Sequence, residues 1–330
     1  MFKKVFELFK TSPKSIVLST ELIQQRNSLI QHLSHIYTSQ IDVLKQQQTL
    51  PILKLYTSLL PFYQSELLHL TSLKKSLEPM PEVEFRDLLN TQLDHIINQL
   101  ELMSVNIKPQ LITELEQNYS IEIDYLLKNY HFNRISSTYS IREYLSDVPL
   151  IQTQFADELV KKSIQFTEKI LELNDYPVPK FIVNCDQKIK SVCIPPHITH
   201  IMFELFKNAT LPSIKNSKPI TVTIYSEPQN DTIKKNPVNF KYNKIKPAVT
   251  NKNVVFKISD EGGGMPNELV NKIWHFHYTT SNDSDRDSIH GFGLGLPLCG
   301  VFAEFNAGSL KLINEPGVGV TIYLTLPSAA

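Results

Sequence analysis

Three short stretches of this chain hold groups whose types and spacing suit joint chemistry. In "HITHIMFELFKNA", His200, Glu204 and Asn208 recur at i, i+4 and i+8. A helix there carries an imidazole, a carboxylate and an amide on one stripe, with Lys207 beside them. Ile198, Met202, Leu205, Phe206 and Ala209 make the opposing apolar face. In "SDEGGGMP", Asp260 ends a β-branched run and three glycines follow. In "HGFGLGLP", Gly291, Gly293 and Gly295 alternate with bulky apolar residues. Backbone that approaches a phosphate closely often has to be glycine, because a Cβ would clash, so the third stretch has the chemistry of a phosphate loop.

The familiar loops of that kind do not fit. A dinucleotide fingerprint needs G-x-G-x-x-G directly after a strand. Counted from Gly291, the sixth position is Leu296, and the polar run "TTSNDSDRDSIH" precedes it. Glu315 stands about 20 residues further on, but the strand–turn–helix context is missing. A Walker-type loop needs Gly-Lys-Ser/Thr, and no lysine occurs between 273 and 310. Neither His-Arg-Asp nor Asp-Phe-Gly follows, as a eukaryotic-type protein kinase requires. Taken singly, Glu and Asn on a helix are usually solvated surface and "EGGG" is usually a turn. Their joint occurrence, in one order with the glycine loop, points to nucleotide binding.

Glu204-x-x-x-Asn208, Asp260-x-Gly262-x-Gly264 and Gly291-x-Gly293-x-Gly295, in that order, resemble the ATP-binding domain shared by gyrase, the ninety-kilodalton heat-shock chaperone, histidine kinases and MutL. Within that superfamily, "HIMFELFKNA", "DEGGGMP", "KIWHFHYTT" and "GFGLGLPL" followed by "AGSLKL" resemble the mitochondrial protein kinases. These are the pyruvate dehydrogenase kinases and branched-chain α-ketoacid dehydrogenase kinase. The stretches "FELFKTSPKSIVLSTEL" and "NYHFNRIS" resemble that family's helical half more weakly.

The resemblance implies the roles. Asn208 would ligate Mg²⁺, which bridges the ATP phosphates. Glu204 would be the general base on the attacking hydroxyl, and His200 would hydrogen-bond Glu204 and tune it. Lys207 would neutralise developing phosphate charge. Asp260 would accept from the exocyclic amine of adenine, with Gly262 and Gly264 turning the backbone beneath the base. The loop Gly291, Phe292, Gly293, Leu294, Gly295 and Leu296 would turn amides toward the phosphates at a helix start. Residues 279–290, beginning with Thr279 and Thr280, would form an ATP lid. Thr321 would be an adenine contact, although the family's threonine position, right after Gly-x-Gly, is Val320 here. The family's Arg-His pair in the helical half aligns with Met103 and Ser104.

These stretches need elements to position them. All ten glycines lie between Gly262 and Gly319, so the first 261 residues are glycine-free and favour helix. Leu93, Ile96, Ile97 and Leu100 fall at i, i+3, i+4, i+7, and Phe155, Leu159, Ile170 and Leu173 keep a similar stripe. The expectation is a bundle of about four helices within residues 1–176. After the linker "NDYPVPK", residues 177–330 read as an α/β sandwich, so the whole chain is α+β. Strands are expected at 181–184, 191–194, 220–225, 254–259, 309–313 and 319–326, with helices at 195–209, 266–274 and 296–306. The polar segment 226–253 reads as a mobile insertion.

Composition narrows the field. Lysine plus arginine equals aspartate plus glutamate, at 33 each, so the chain has no overall electrostatic footprint for nucleic acid. No apolar run reaches a membrane span. Cys185, Cys193 and Cys299 have no metal-site spacing, and a reduced compartment is the simpler reading. The stretch "MFKKVFELFK" is basic and amphipathic, as a presequence is, but it lacks Arg and contains Glu7, so a first amphipathic helix is at least an equal reading. The resemblance implies a serine protein kinase of the mitochondrial matrix, using ATP and Mg²⁺. Its substrate would be the dehydrogenase component of an α-ketoacid dehydrogenase complex, with the lipoyl domain of the acyltransferase core as a further partner. Family members continue past the last strand into a tail that crosses the homodimer, whereas this sequence ends at Ala330, so the expectation is a weakened dimer and weakened lipoyl contact. Two alternatives stay open: an ATP-binding switch or pseudokinase, and a histidine kinase, although His32, His35, His69, His95 and His131 lack a phosphoacceptor setting.

Overall fold

The computed structural model describes residues 20–46, 60–73, 80–106, 121–185, 188–229, 248–280 and 293–330. Several expectations therefore lie outside the described residues: the N-terminal amphipathic helix, the 230–247 part of the insertion, the 281–290 part of the lid, and Gly291 and Phe292. The side chains of Met103 and Ser104 are likewise not described. The chain divides into two compact units that part at Leu150/Ile151.

The first unit contains α1 (Thr20–Gln46), α2 (Leu60–Leu73), α3 (Glu82–Asn106) and α4 (Ile121–Leu145). Leu29, Leu33 and Tyr37 of α1, Phe85 and Leu89 of α3, and Ile141 of α4 are inaccessible to solvent. The expected α3 stripe is buried at Ile96 and Ile97. A charged cluster lies within this core. Arg26 donates to Glu82 Oε2 at 3.0 Å and to the Met80 carbonyl at 2.7 Å, and Tyr144 donates to Glu82 at 3.1 Å. The Arg26 guanidinium also stands 4.8 Å from the Phe85 ring centroid. One carboxylate thus joins α1 to the first turn of α3 and the last turn of α4. Helix α4 has little amphipathic contrast because polar residues sit on its buried side. Ser137, Thr138 and Ser140 satisfy their hydroxyls on carbonyls three or four residues back, at 2.8–2.9 Å.

The second unit runs β1 (Gln152–Phe155), α5 (Ala156–Leu173), β2 (Phe181–Cys185), β3 (Lys190–Cys193), α6 (Pro195–Lys215), β4 (Ile220–Pro228), β5 (Val249–Ser259), α7 (Asn267–Lys272), α8 (Gly295–Phe305), β6 (Ser309–Glu315) and β7 (Gly319–Ala329). The strands form a mixed sheet in the order β1-β3-β7-β5-β4-β2, with β6 also paired to β7. β2 and β4 are parallel and the remaining pairs antiparallel. Every strand expected from β-branched content is present. β1, built from "QTQF", carried no such signal and exists through its ladder with β3. β4 and β5 extend into the expected insertion, pairing as far as Pro228 and Lys252, because a ladder needs backbone groups and not apolar side chains.

Helix α5 lies in this second unit rather than in the bundle. Its buried stripe is Ala156, Leu159, Val160, Ser163, Ile164, Thr167 and Leu171. Ile170 falls off that stripe, and Leu173 is 65% exposed. Ser163 and Thr167 can stand in the stripe because their hydroxyls bond the carbonyls of Leu159 and Ser163 at 2.7 and 2.8 Å. The stripe packs on α6, where the Phe166 and Phe203 rings meet at 5.5 Å. No helix among the described residues is long and apolar enough to cross a membrane. None of Cys185, Cys193 and Cys299 forms a disulfide.

Candidate functional site

Helix α6 positions the first group of side chains. Pro195 and Pro196 open it, where a missing amide is harmless. The Asn306 side chain accepts from the Ile194 amide at 2.7 Å, fixing the helix start to the end of α8. Neighbours cover α6 on most sides, and Ile201, Met202 and Phe206 are fully buried. The functional stripe therefore runs from half-buried His200 through buried Glu204 to exposed Asn208.

Asn208 opens into a cleft of about 580 Å³ in the second unit. Glu204, Lys207, Asn208, Asp260, Gly262, Gly264, Thr279, Thr280, Gly293, Gly295 and Leu296 line it, so most expected site residues converge. Ile258, Leu312, Val320 and Ile322 supply an apolar floor from β5, β6 and β7. Leu294 lies just before α8 and is not part of the lining.

Asp260 is held at the end of β5. Its Oδ1 accepts from the Gly262 amide at 2.9 Å and the Val320 amide at 3.4 Å. Both bonds use one oxygen, which leaves Oδ2 to accept from a ligand. Burial raises the carboxyl above its ordinary range, and the two amides oppose that rise. Gly262 is a glycine for a steric reason. A Cβ there would stand 2.1 Å from Cβ of Pro212 on α6. The next segment is pinned by Asn314 of β6, which accepts from the Met265 amide at 2.9 Å and donates to the Met265 carbonyl at 2.8 Å.

Glu204 differs from expectation. Its hydrogen-bond partner is not His200 but Lys207, whose Nζ donates to Oε2 at 2.5 Å. The His200 ring instead stands edge-on to Phe302 at 5.0 Å and is not in the cleft lining. Both side chains were within helical reach of the carboxylate, and the apolar wall of α8 takes the imidazole. Lys207 consequently meets a carboxylate where phosphate was expected. The pair is largely buried, with 12% and 8% of the two side chains exposed. Gly295, at the start of α8, closes the other side: a Cβ there would lie 2.2 Å from Glu204 Oε2.

The start of α8 suits an anion. The first-turn amides of Gly295 and Leu296 have no carbonyl partner within the helix, and Pro297 has no amide to orphan. Gly293 is tied to the entry of the lid region, since the His277 amide donates to its carbonyl at 2.8 Å. Thr321 does not join the site. Its hydroxyl pairs with Ser259 Oγ at 3.0 Å, while Val320 and Ile322 point to the cleft, as strand alternation requires.

Some lining residues had no sequence signal. Leu171 of α5, Tyr176 after it, and Leu211 and Pro212 of α6 all border the cleft. Pro212 also has no amide to give the Asn208 carbonyl, so the helical ladder is interrupted one turn past Asn208. Among the described residues, no group of three or more His, Cys, Asp or Glu could hold a metal ion. A cation here would rest on few protein ligands plus ligand oxygens and water, the habit of magnesium.

Comparison with known proteins agrees with this geometry. Residues 193–330 match the model of the histidine kinase-, DNA gyrase B- and HSP90-like ATPase. The mitochondrial pyruvate dehydrogenase (acetyl-transferring) kinase of Schizosaccharomyces pombe is 26% identical over 163 residues, covering 46% of this chain and 35% of that protein. Isozyme 3 of the human enzyme is 32% identical over 148 residues, covering 42% of this chain and 32% of that protein. The Ascaris suum kinase is 28% identical over 154 residues, 44% of this chain and 33% of that protein. The chain spans about a third of the length of the curated relatives it matches. Residues 193–330 are thus similar to the histidine kinase-, DNA gyrase B- and HSP90-like ATPase family, and within it to the pyruvate dehydrogenase kinases.

Proposed function

We propose that this protein is an ATP-dependent serine kinase of the mitochondrial matrix. It phosphorylates and inactivates the dehydrogenase component of a pyruvate or branched-chain α-ketoacid dehydrogenase complex. The observation that carries the reading is the pair Glu204 and Asn208, one turn apart on α6, opening into one cleft with the start of α8. The names of the similar proteins support the substrate class and the compartment.

Asp260 Oδ2 accepts from the adenine amine, and the floor of Ile258, Leu312 and Ile322 covers the base. The amides of Gly295 and Leu296 face the phosphates. The Asn208 side-chain oxygen would hold Mg²⁺, which when bound neutralises charge on the phosphates. The serine oxygen bonds to the γ-phosphorus as the bond to the bridging oxygen breaks and ADP leaves. The serine proton passes to the Glu204 carboxylate.

Incubation with labelled ATP, Mg²⁺ and purified pyruvate dehydrogenase complex tests this. Acid-stable phosphoserine on the dehydrogenase component, with falling complex activity, is the expected result. Intact ATP binding without transfer would instead mark a nucleotide switch, and acid-labile phosphate on the chain itself would mark a histidine kinase.

A further inference from the structure

Two opposite charges meet at the start of α8, where an anion is favoured. Lys207 Nζ sits 2.5 Å from Glu204 Oε2, and that oxygen lies against the Cα of Gly295. A cation near a helix N-terminus is disfavoured by the helix dipole unless an anion accompanies it. Glu204 supplies that anion here.

We propose that Lys207 is a positioning residue that holds Glu204 in a resting ion pair. Nucleotide phosphates take over the ammonium, and only then is Glu204 free to act as base. This rests on the nucleotide reading above and adds a regulation to it: occupancy of the phosphate site uncaps the Glu204 carboxylate. Both side chains line the same cleft as Thr279, Gly293 and Gly295, so the exchange needs side-chain rotation and no change of fold. It also explains the lysine three residues after the glutamate, a spacing that lets one ammonium reach either partner.

Nucleotide affinity tests the exchange without any protein substrate. In Glu204→Gln, Lys207 no longer has to leave a carboxylate, so the non-hydrolysable triphosphate adenylyl imidodiphosphate binds about three- to tenfold more tightly. Adenosine, which has no phosphate, binds unchanged. In Lys207→Met the triphosphate binds about tenfold or more weakly. The decisive measurement is the double variant, where the gain from Glu204→Gln disappears. A gain that persists without Lys207 reflects simple charge repulsion and overturns the proposal, as does unchanged affinity in Glu204→Gln. If Lys207→Met fails to fold, Lys207→Gln takes its place in the cycle. A wild-type chain that binds neither adenosine nor triphosphate overturns the nucleotide reading itself.

Discussion

Replacing Gly262 with alanine tests whether the segment after β5 and helix α6 are fitted to each other. The new Cβ would stand 2.1 Å from Pro212 Cβ and 2.8 Å from Asp260 Oδ1. Carbon atoms rest about 3.5–4.0 Å apart, so one side must retreat by about 1.4 Å or more. Neither side yields easily. Pro212 is a rigid ring on a buried helix, and the Gly262 amide holds Asp260 Oδ1 at 2.9 Å. Overpacking costs about 1–3 kcal/mol, and losing a hydrogen bond to a charged group costs about 1.5–3 kcal/mol. The two losses are alternatives as much as a sum, so we expect nucleotide affinity to fall about 10- to 100-fold, or 1.4–2.8 kcal/mol. Calorimetry with adenylyl imidodiphosphate reads the affinity, and circular dichroism checks the fold. Adding Pro212→Gly removes the opposing Cβ and should restore part of the binding, since the 2.8 Å approach to Asp260 Oδ1 remains. A Gly262→Ala variant with wild-type affinity and melting temperature refutes the reasoning.

Three further outcomes follow from the geometry. Glu82→Ala removes the carboxylate that pairs with Arg26, which has no solvent exposure, and should cost about 3–5 kcal/mol in urea unfolding of the helical unit. Burial lifts Asp260 above 3.8, and a donor on the ligand needs the ionised form. Nucleotide affinity should therefore fall as pH drops through the raised range of this carboxyl, and Asp260→Asn should flatten the profile. The sign for the free protein is opposite: the folded state binds more protons there than the unfolded state, so Asp260 favours folding less as pH rises. Thr321→Val, on the far side of the strand from the cleft, should leave nucleotide affinity within about twofold, as judged by the same calorimetry.

The parts legible in the sequence were those with local causes. Alternating β-branched runs produced strands because a pleated ladder suits them, and the stripe from Glu204 to Asn208 followed from helical spacing alone. The parts that escaped depended on partners distant in the chain. β1 has a glutamine-rich sequence and exists because β3 lies beside it. The α5 stripe was misaligned because Ser163 and Thr167 look exposed by type, yet hide their hydroxyls on their own backbone. His200 and Lys207 were both within helical reach of Glu204; Lys207 holds it, while the His200 ring stands against Phe302, just over a hundred positions later. The domain boundary escaped for the same reason: what assigns α5 to the second unit is its contact with α6.

Pro212 shows how one residue constrains both walls of the cleft. A proline inside a helix typically costs about 3 kcal/mol, through a lost hydrogen bond and a clash with the carbonyl four residues back. Here that carbonyl belongs to Asn208, and α6 ends only three residues later, at Lys215. Asn208 lies a turn before the last four carbonyls of α6, so the proline removes a bond that the helix would otherwise give it. The ring meanwhile supplies a rigid surface that no residue except glycine can face at position 262. Pro212 and Gly262 are therefore a matched pair. Alanine at 262 is tolerable only when the proline is gone, and loss of the proline alone removes the hard wall without touching Asp260. The gap in the α6 ladder at the Asn208 carbonyl and the close fit of the turn that presents Asp260 thus trace to one residue, Pro212.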